Sequence, residues 1–406
     1  MRLPFHAYGP DTDVPAALDD LRRGNEELPP ETPWWRYPGS FLSSALYHGG
    51  HLTPATVDGV RYLAATIGEP DFGGDDPTLR WAALWFLRDV ARAVCADIDE
   101  SRRLAAGRDS PEVRSWLAAY LREERSVLEW TEADEPGRVL LAAARADCYD
   151  LLPAVYAAVE PLLHGDPRGR LEAAGAAVEL TRHPELAGHR PGLLEYHLAE
   201  AGSSDNAHHR ACMLLGAGAL GGDTRAWLRD PHPGTRVCAA FAPALADDPE
   251  ATAVLLAEAL NPGVVGPEGF EGMMGLPALP NSTAHLAEVL CARVGDFETL
   301  LPVALASVPY RKAAYFDVGA EHPAAGALCE PYLRLAFPDG LPSSGTKSQR
   351  LLAGALARHD PAWFLDPGGL VPMELWFAKR QAEAWIGTFV RLGLPSDRAV
   401  WVAFSG

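Results

Sequence analysis

The sequence predicts an all-α chain, an α-solenoid of stacked antiparallel helix pairs, on three observations. Every strongly periodic segment has the 3.6-residue period of a helix rather than the alternation of a strand. A turn-and-helix motif recurs through the middle of the chain, as happens when units that cannot bury their own faces stack on one another. The 406 residues also exceed what one hydrophobic core supports, so two domains or an elongated array are required.

The first clear helix begins after Asp75-Asp76-Pro77 and carries Leu79, Ala82, Ala83, Phe86, Leu87, Val90 and Val94 at steps of three and four, up to Cys95. A second opens at Ser110-Pro111, with proline in the first turn. It places Val113, Trp116, Leu117, Tyr120, Leu121 and Leu128 opposite Arg114, Arg122, Glu123 and Arg125. Beyond residue 135 the chain repeats itself. Gly165-Asp-Pro-Arg-Gly-Arg-Leu-Glu-Ala-Ala174 is echoed by Arg229-Asp-Pro-His-Pro-Gly-Thr-Arg-Val-Cys-Ala-Ala240, more weakly by Asp205-Asn-Ala-His-His-Arg210, and Asp247-Asp-Pro-Glu250 opens another helix. Each copy combines a turn with an Asp cap, an arginine, and small residues that let helices lie close. The expected organisation is 1–135, N-terminal helical repeats behind an aromatic-rich opening segment; 136–260, central repeats; 261–282, a Gly/Pro-rich loop; and 283–406, C-terminal helical repeats.

A net charge of −19 repels phosphate backbones and anionic lipid, which argues against nucleic acid and membrane and favours a basic protein or peptide partner. Lys312, Lys347 and Lys379 are the only lysines, a bias that reads as GC-rich coding and carries no function. Cys95, Cys148, Cys212, Cys238, Cys291 and Cys329 are scattered without a C-x-x-C pair and read as reduced thiols. Residues 1–10 lack the apolar run and cleavage site of a signal peptide. No segment approaches the roughly 20 apolar residues that span a bilayer. A cytoplasmic protein is expected.

Several segments invite a chemical reading. Gly216-Ala-Gly-Ala-Leu-Gly221 matches G-x-G-x-x-G, but the run before it is helical, whereas a dinucleotide site needs a strand there. Gly340 to Ser348 is one residue out of register with a phosphate loop and reads as a linker. His208 and Cys212 lie one helical turn apart beside His209, yet three or four converging ligands are needed for a metal, and none is expected. No cofactor is expected, and the nucleophile elbow G-x-S-x-G is absent. His48 and His51 flank a Gly-Gly turn between two predicted helices, close to Trp34, Trp35 and Tyr37. They could hold or protonate a ligand, or simply close the turn. On the Leu79 helix, Trp81, Trp85, Arg88 and Arg92 cluster opposite the apolar stripe. These are residue types that anchor interfaces, unless the Trp34–Trp35 segment covers them. Asn261 to Pro280 is a long Gly/Pro loop carrying Phe270, Met273, Met274 and Leu276, either a contact surface or a flap over a gap between repeats.

Five segments resemble the actinobacterial HEAT-repeat proteins, relatives of the bilin-lyase HEAT-like domains. They are His6 to Pro15, Leu46 to Thr56, Gly295 to Pro302, Ala336 to Gly340 and Arg391 to Arg398. In the second, Gly49 and His51 stand where the family segment has Gln and Thr. The resemblance implies stacked HEAT-like pairs and carries over no functional residue. The expected function is a scaffold binding a protein or peptide, with an immunity or inhibitor role fitting an acidic chain that meets a basic target. The alternative is an enzyme, or an accessory protein of a biosynthetic pathway, with a pocket on the concave face of the solenoid.

Overall fold

The computed structural model describes residues 5–10, 13–24, 28–29, 31–48, 51–123, 134–165, 167–265, 270, 282–309, 325–359, 363, 382–383 and 385–406. These are overwhelmingly helical, and their only strands are the two-residue arms of two antiparallel hairpins. Among them no helix is long and apolar enough to cross a membrane. The described residues form two compact units that divide after Tyr196, inside the Arg190–Ser203 helix.

In the first unit, the Glu135–Val159 helix packs against the Thr56–Thr66, Pro77–Ala96, Ile98–Ala105 and Pro111–Glu123 helices. Its buried positions include Leu140, Ala143, Ala144, Cys148, Leu152, Val155 and Val159, a stripe at steps of one, three and four. The start signals act as expected. Asp76 accepts the Thr78 N–H (2.8 Å), and the Ser110 hydroxyl accepts that of Val113 (3.2 Å). Leu79, Ala83, Phe86, Leu87, Val90 and Val94 are buried as the periodicity requires. Val113, Leu117 and Tyr120 close on Phe5, Val139, Leu140 and Ala143.

One local expectation is sharpened. The His48/His51 segment lies between two helices, Leu42–Leu46 and Thr56–Thr66, and its arms pair as a β-hairpin, Tyr47↔Leu52 and His48↔His51. The reason lies in two threonines. Thr53 and Thr56 hydroxyls both donate to the Leu46 carbonyl (3.2 and 2.5 Å), and so does the Thr53 N–H (3.1 Å). Those bonds occupy the carbonyl that would continue the helix and turn the chain outward.

The second unit gives the recurring motif a physical role. Its Ala207–Ala219, Pro233–Ala240 and Pro249–Glu258 helices are successive neighbours. Arg210 holds Asp230 through two bonds (3.0 and 3.2 Å) while also donating to the Ser204 carbonyl (3.0 Å). Arg236 likewise donates to Glu258 (2.9 Å) and to the Asp230 carbonyl (2.7 Å). Each arginine therefore clasps its own entry turn to a carboxylate of the next element. The glycine motif also dissolves into packing. A Cβ at Gly216 would lie 2.5 Å from His197 Nδ1, one at Gly218 3.1 Å from the Ala242 Cα, and Gly221 has φ +89°. In the Gly340 to Ser348 stretch, Thr346 and Gln349 form a capping box for the Lys347–Arg358 helix. Trp385, Phe389 and Trp401 at the C-terminal end are fully buried core.

Candidate functional site

The two hairpins are tied into one frame in the first unit. Ala7 N–H donates to the Ala45 carbonyl (2.9 Å) and Ala55 N–H to that of Phe5 (3.1 Å). His6 is buried with both ring nitrogens engaged. Its Nδ1 accepts the Tyr8 N–H (3.1 Å), so Nε2 carries the proton and donates it to Asp13 (2.9 Å). That pair fixes the turn from which Tyr8 projects. Tyr8 lies flat on Trp35, with ring centroids 4.7 Å apart and planes 9° from parallel, and meets Trp34 at 6.3 Å and 79°. Arg36 anchors the same segment through Asp20 (3.0 Å). Trp34 is 52% exposed and Tyr8 38%. Their rings form two near-perpendicular walls at the surface.

His48 stands edge-on to Tyr8 at 5.6 Å. Its Nδ1 is 2.8 Å from the Ser44 carbonyl, an acceptor that only a ring N–H can satisfy. In the neutral ring the proton therefore sits on Nδ1 and Nε2 is the acceptor. The sequence placed Trp34, Trp35, His48 and His51 together, and the structure gathers Trp34, Trp35 and His48 around Tyr8. His51 is exposed on the opposite arm of the second hairpin, in register with His48. His6 and Tyr8 escaped the sequence reading as site residues, although both sit in the His6 to Pro15 segment.

Trp81, Trp85, Arg88 and Arg92 do not make an outward ridge. The Pro167–Leu180 helix packs along this side of the Pro77–Ala96 helix. Its buried Ala173, Ala174, Ala176 and Ala177 allow close approach. Arg92 donates to Glu179 through Nε (3.2 Å) and Nη2 (3.0 Å). Arg88 is only 6% exposed and donates to Asp89 (2.9 Å). Trp81 and Trp85 are half-buried. The Pro167–Leu180 helix lies 87 residues further along the chain. Tyr47, which neighbours His48 on its strand and so faces the other way, reports the same cluster. Burial pushes its hydroxyl up, Asp89 adds to this, and Arg92, Arg145 and Arg88 oppose it. Burial likewise pushes the Glu172 carboxyl up against the charge of Arg88.

In the second unit Phe270, which the sequence left open as a contact or as a flap over a gap between repeats, is 4% exposed. Its ring stacks on His232 (5.0 Å, 19°) and meets His208 edge-on (5.5 Å). It also fills the space over Gly234, where a Cβ would lie 2.5 Å from the ring. The ring is occupied in packing. Met273 and Met274 lie outside the described residues. His208 Nε2 is 3.8 Å from Cys212 Sγ. Among the described residues no group of three or more His, Cys, Asp or Glu side chains is placed to hold a metal ion. Burial raises the thiols of Cys95 to about 11 and Cys291 to about 12, and pushes those of Cys148, Cys238 and Cys329 well up, so these five are protonated at neutral pH.

Comparison of the chain with protein-family models, with curated proteins and with solved structures finds no match.

Proposed function

We propose that the chain is a helical scaffold whose Tyr8–Trp34 corner binds a basic protein or peptide segment. The observation that carries this is the pair of exposed aromatic walls, 52% and 38% accessible and 6.3 Å apart, resting on the flat Tyr8–Trp35 stack. A lysine or arginine side chain against such faces gains about 0.5–2 kcal/mol from the ring quadrupoles. Tyr8 is already held by Trp35 and by the His6–Asp13 pair, which lowers the ordering cost of binding. The net charge of −19 steers a basic partner toward the chain. Exposed Glu31, three residues before Trp34, adds local negative charge.

An inhibitor or immunity role toward a basic target is one form of this activity. The recurring arginine clasps support reading the helix pairs as HEAT-like repeats, and six free cysteines support a reducing, cytoplasmic setting. The test is fluorescence anisotropy with Arg/Lys-rich, neutral and acidic peptides of equal length. Basic peptides should bind selectively, and Trp34→Ala or Tyr8→Ala should weaken them roughly tenfold or more, as loss of an aromatic hot spot does. Equal binding by the parent and both variants would remove the corner from the account.

A further inference from the structure

The Tyr8–Trp34 corner presents ring faces and edges to a cation, and the charged groups around it are already matched. Three rings meet at Tyr8. Trp35 lies flat against it at 4.7 Å, while Trp34 (6.3 Å, 79°) and His48 (5.6 Å, 82°) each stand nearly perpendicular to it. Because all three contacts share one ring, the aromatic groups converge on a single place, and Trp34 and Tyr8 bring that place to the surface.

The carboxylates that hold this segment in place are committed within the chain. Asp13 accepts the His6 Nε2–H (2.9 Å) and lies 3.8 Å from Arg36 Nε, and Asp20 accepts from Arg36 Nη2 (3.0 Å). The neighbouring carbonyls are also in use: that of Ser44 takes the His48 Nδ1–H and that of Ala45 the Ala7 N–H. What remains for a visiting cation is the rings, the Tyr8 hydroxyl and His48 Nε2, with no carboxylate among them. Glu31 is exposed to water, where its screened charge favours every cation alike.

Such a corner distinguishes between cations. A primary ammonium carries three N–H donors and a strongly held hydration shell, and a guanidinium carries five donors. Drawn against aromatic rings, either gives up water that the corner replaces only in part. A trimethylammonium has no N–H to satisfy, and its charge is spread over methyl groups that rest directly on aromatic faces. Building on the reading of this corner as a site for basic segments, we propose that its preferred occupant is a trimethylated lysine side chain within such a segment. Trp35 and the His6–Asp13 pair hold Tyr8 in place before the ligand arrives, which suits a ligand recognised by ring position rather than by hydrogen bonds.

The test uses the full chain and one basic peptide made in three forms, with lysine, trimethyl-lysine or its uncharged tert-butyl isostere at a central position. Binding is followed by fluorescence anisotropy, and choline is added as a free trimethylammonium competitor. The trimethyl-lysine form should bind roughly fivefold or more tighter than both other forms, and choline should bind more weakly than that form because it lacks the flanking basic residues. Trp34→Ala, at a position 52% exposed where truncation spares the core, should erase the preference. If lysine and trimethyl-lysine forms bind equally and Trp34→Ala weakens both, the methyl preference is overturned and the corner remains a general site for basic segments. If no form binds, the corner itself is removed as a site. An isostere as tight as trimethyl-lysine would overturn the inference by making the contact apolar rather than cationic, and choline as tight as the peptide would do so by making the ligand a free small cation.

Discussion

The Pro77–Ala96 and Pro167–Leu180 helices of the first unit, and the Ala207–Ala219 and Pro233–Ala240 helices of the second, are close pairs that both bury arginine side chains. In the second pair every such charge is matched. Arg210 takes Asp230 and a carbonyl, Arg236 takes Glu258 and two carbonyls, and glycine is placed where a ring must fit. In the first pair the matching is incomplete: Trp85 Nε1 and Glu172 Oε2 keep capacity that no described neighbour satisfies. Unsatisfied buried polar groups cost about 1–3 kcal/mol each, so a fold selected for stability alone removes them. The matched pair satisfies its buried arginines, whereas the unmatched pair carries that cost within the fold.

Glycine substitutions should break this comparison most sharply, because the two pairs contain helical glycines in opposite surroundings. Gly216 faces the ring of His197, which is 1% exposed, and any side chain there forces the buried imidazole to move. Gly216→Ala should destabilise by about 2–3 kcal/mol, as overpacking does, despite alanine's better helix propensity. Gly175 meets only the Arg88 stem at ordinary contact distance. Gly175→Ala should stabilise by about 0.5–1 kcal/mol. Chemical denaturation of both variants checks the pair; the same sign for both would mean the two surroundings do not differ as described.

Arginine truncations give the next largest contrast. Arg210 and Asp230 are 14% and 8% exposed, and Arg210→Met strands a nearly buried carboxylate. That should cost about 2–3 kcal/mol, somewhat below the figure for fully buried pairs. Arg145→Met removes a cation with no carboxylate partner, while its stem volume is kept. Stability should change by less than about 0.5 kcal/mol. Thermal melts at neutral pH and low salt decide this. A large loss for Arg145→Met would show that the residue is structurally matched after all.

Much of this difference was hidden from the sequence for physical reasons. Helices, caps and the repeated motif were legible because they depend on residues a few positions apart. Asp76, Ser110 and Asp248 cap as their spacing requires. The Trp34, Trp35 and His48 grouping was legible because the chain returns locally. The hairpin was not, since two threonine hydroxyls competing for one carbonyl leave no periodic trace. Nor was the inward turn of Trp85, Arg88 and Arg92. At one face of one helix, an exposed ridge and a ridge covered by a helix 87 residues later have the same sequence pattern. Phe270 in a Gly/Pro loop reads equally as a contact or as a flap, and only the surrounding His208, His232 and Gly234 reveal its packing role.

The smallest effect sharpens the unmatched side through pH. Burial raises the Glu172 carboxyl above its ordinary range in the folded chain. A group shifted this way binds protons more readily when folded, so its favourable contribution is present below the unfolded carboxyl pKa and is lost as pH rises through the folded value. At pH 7 to 8 the parent therefore bears a partly buried charge that the unfolded chain does not. Glu172→Gln should be slightly more stable than the parent there, by less than about 1 kcal/mol given the partial exposure of the site. The gain should shrink toward zero as pH falls below about 4, where both states of the parent are protonated. Melts of parent and variant between pH 3.5 and 8 test the sign. An advantage that grows on acidification would mean that the carboxylate is stabilised by its arginine neighbours instead. In that case Glu172 would belong with the matched charges.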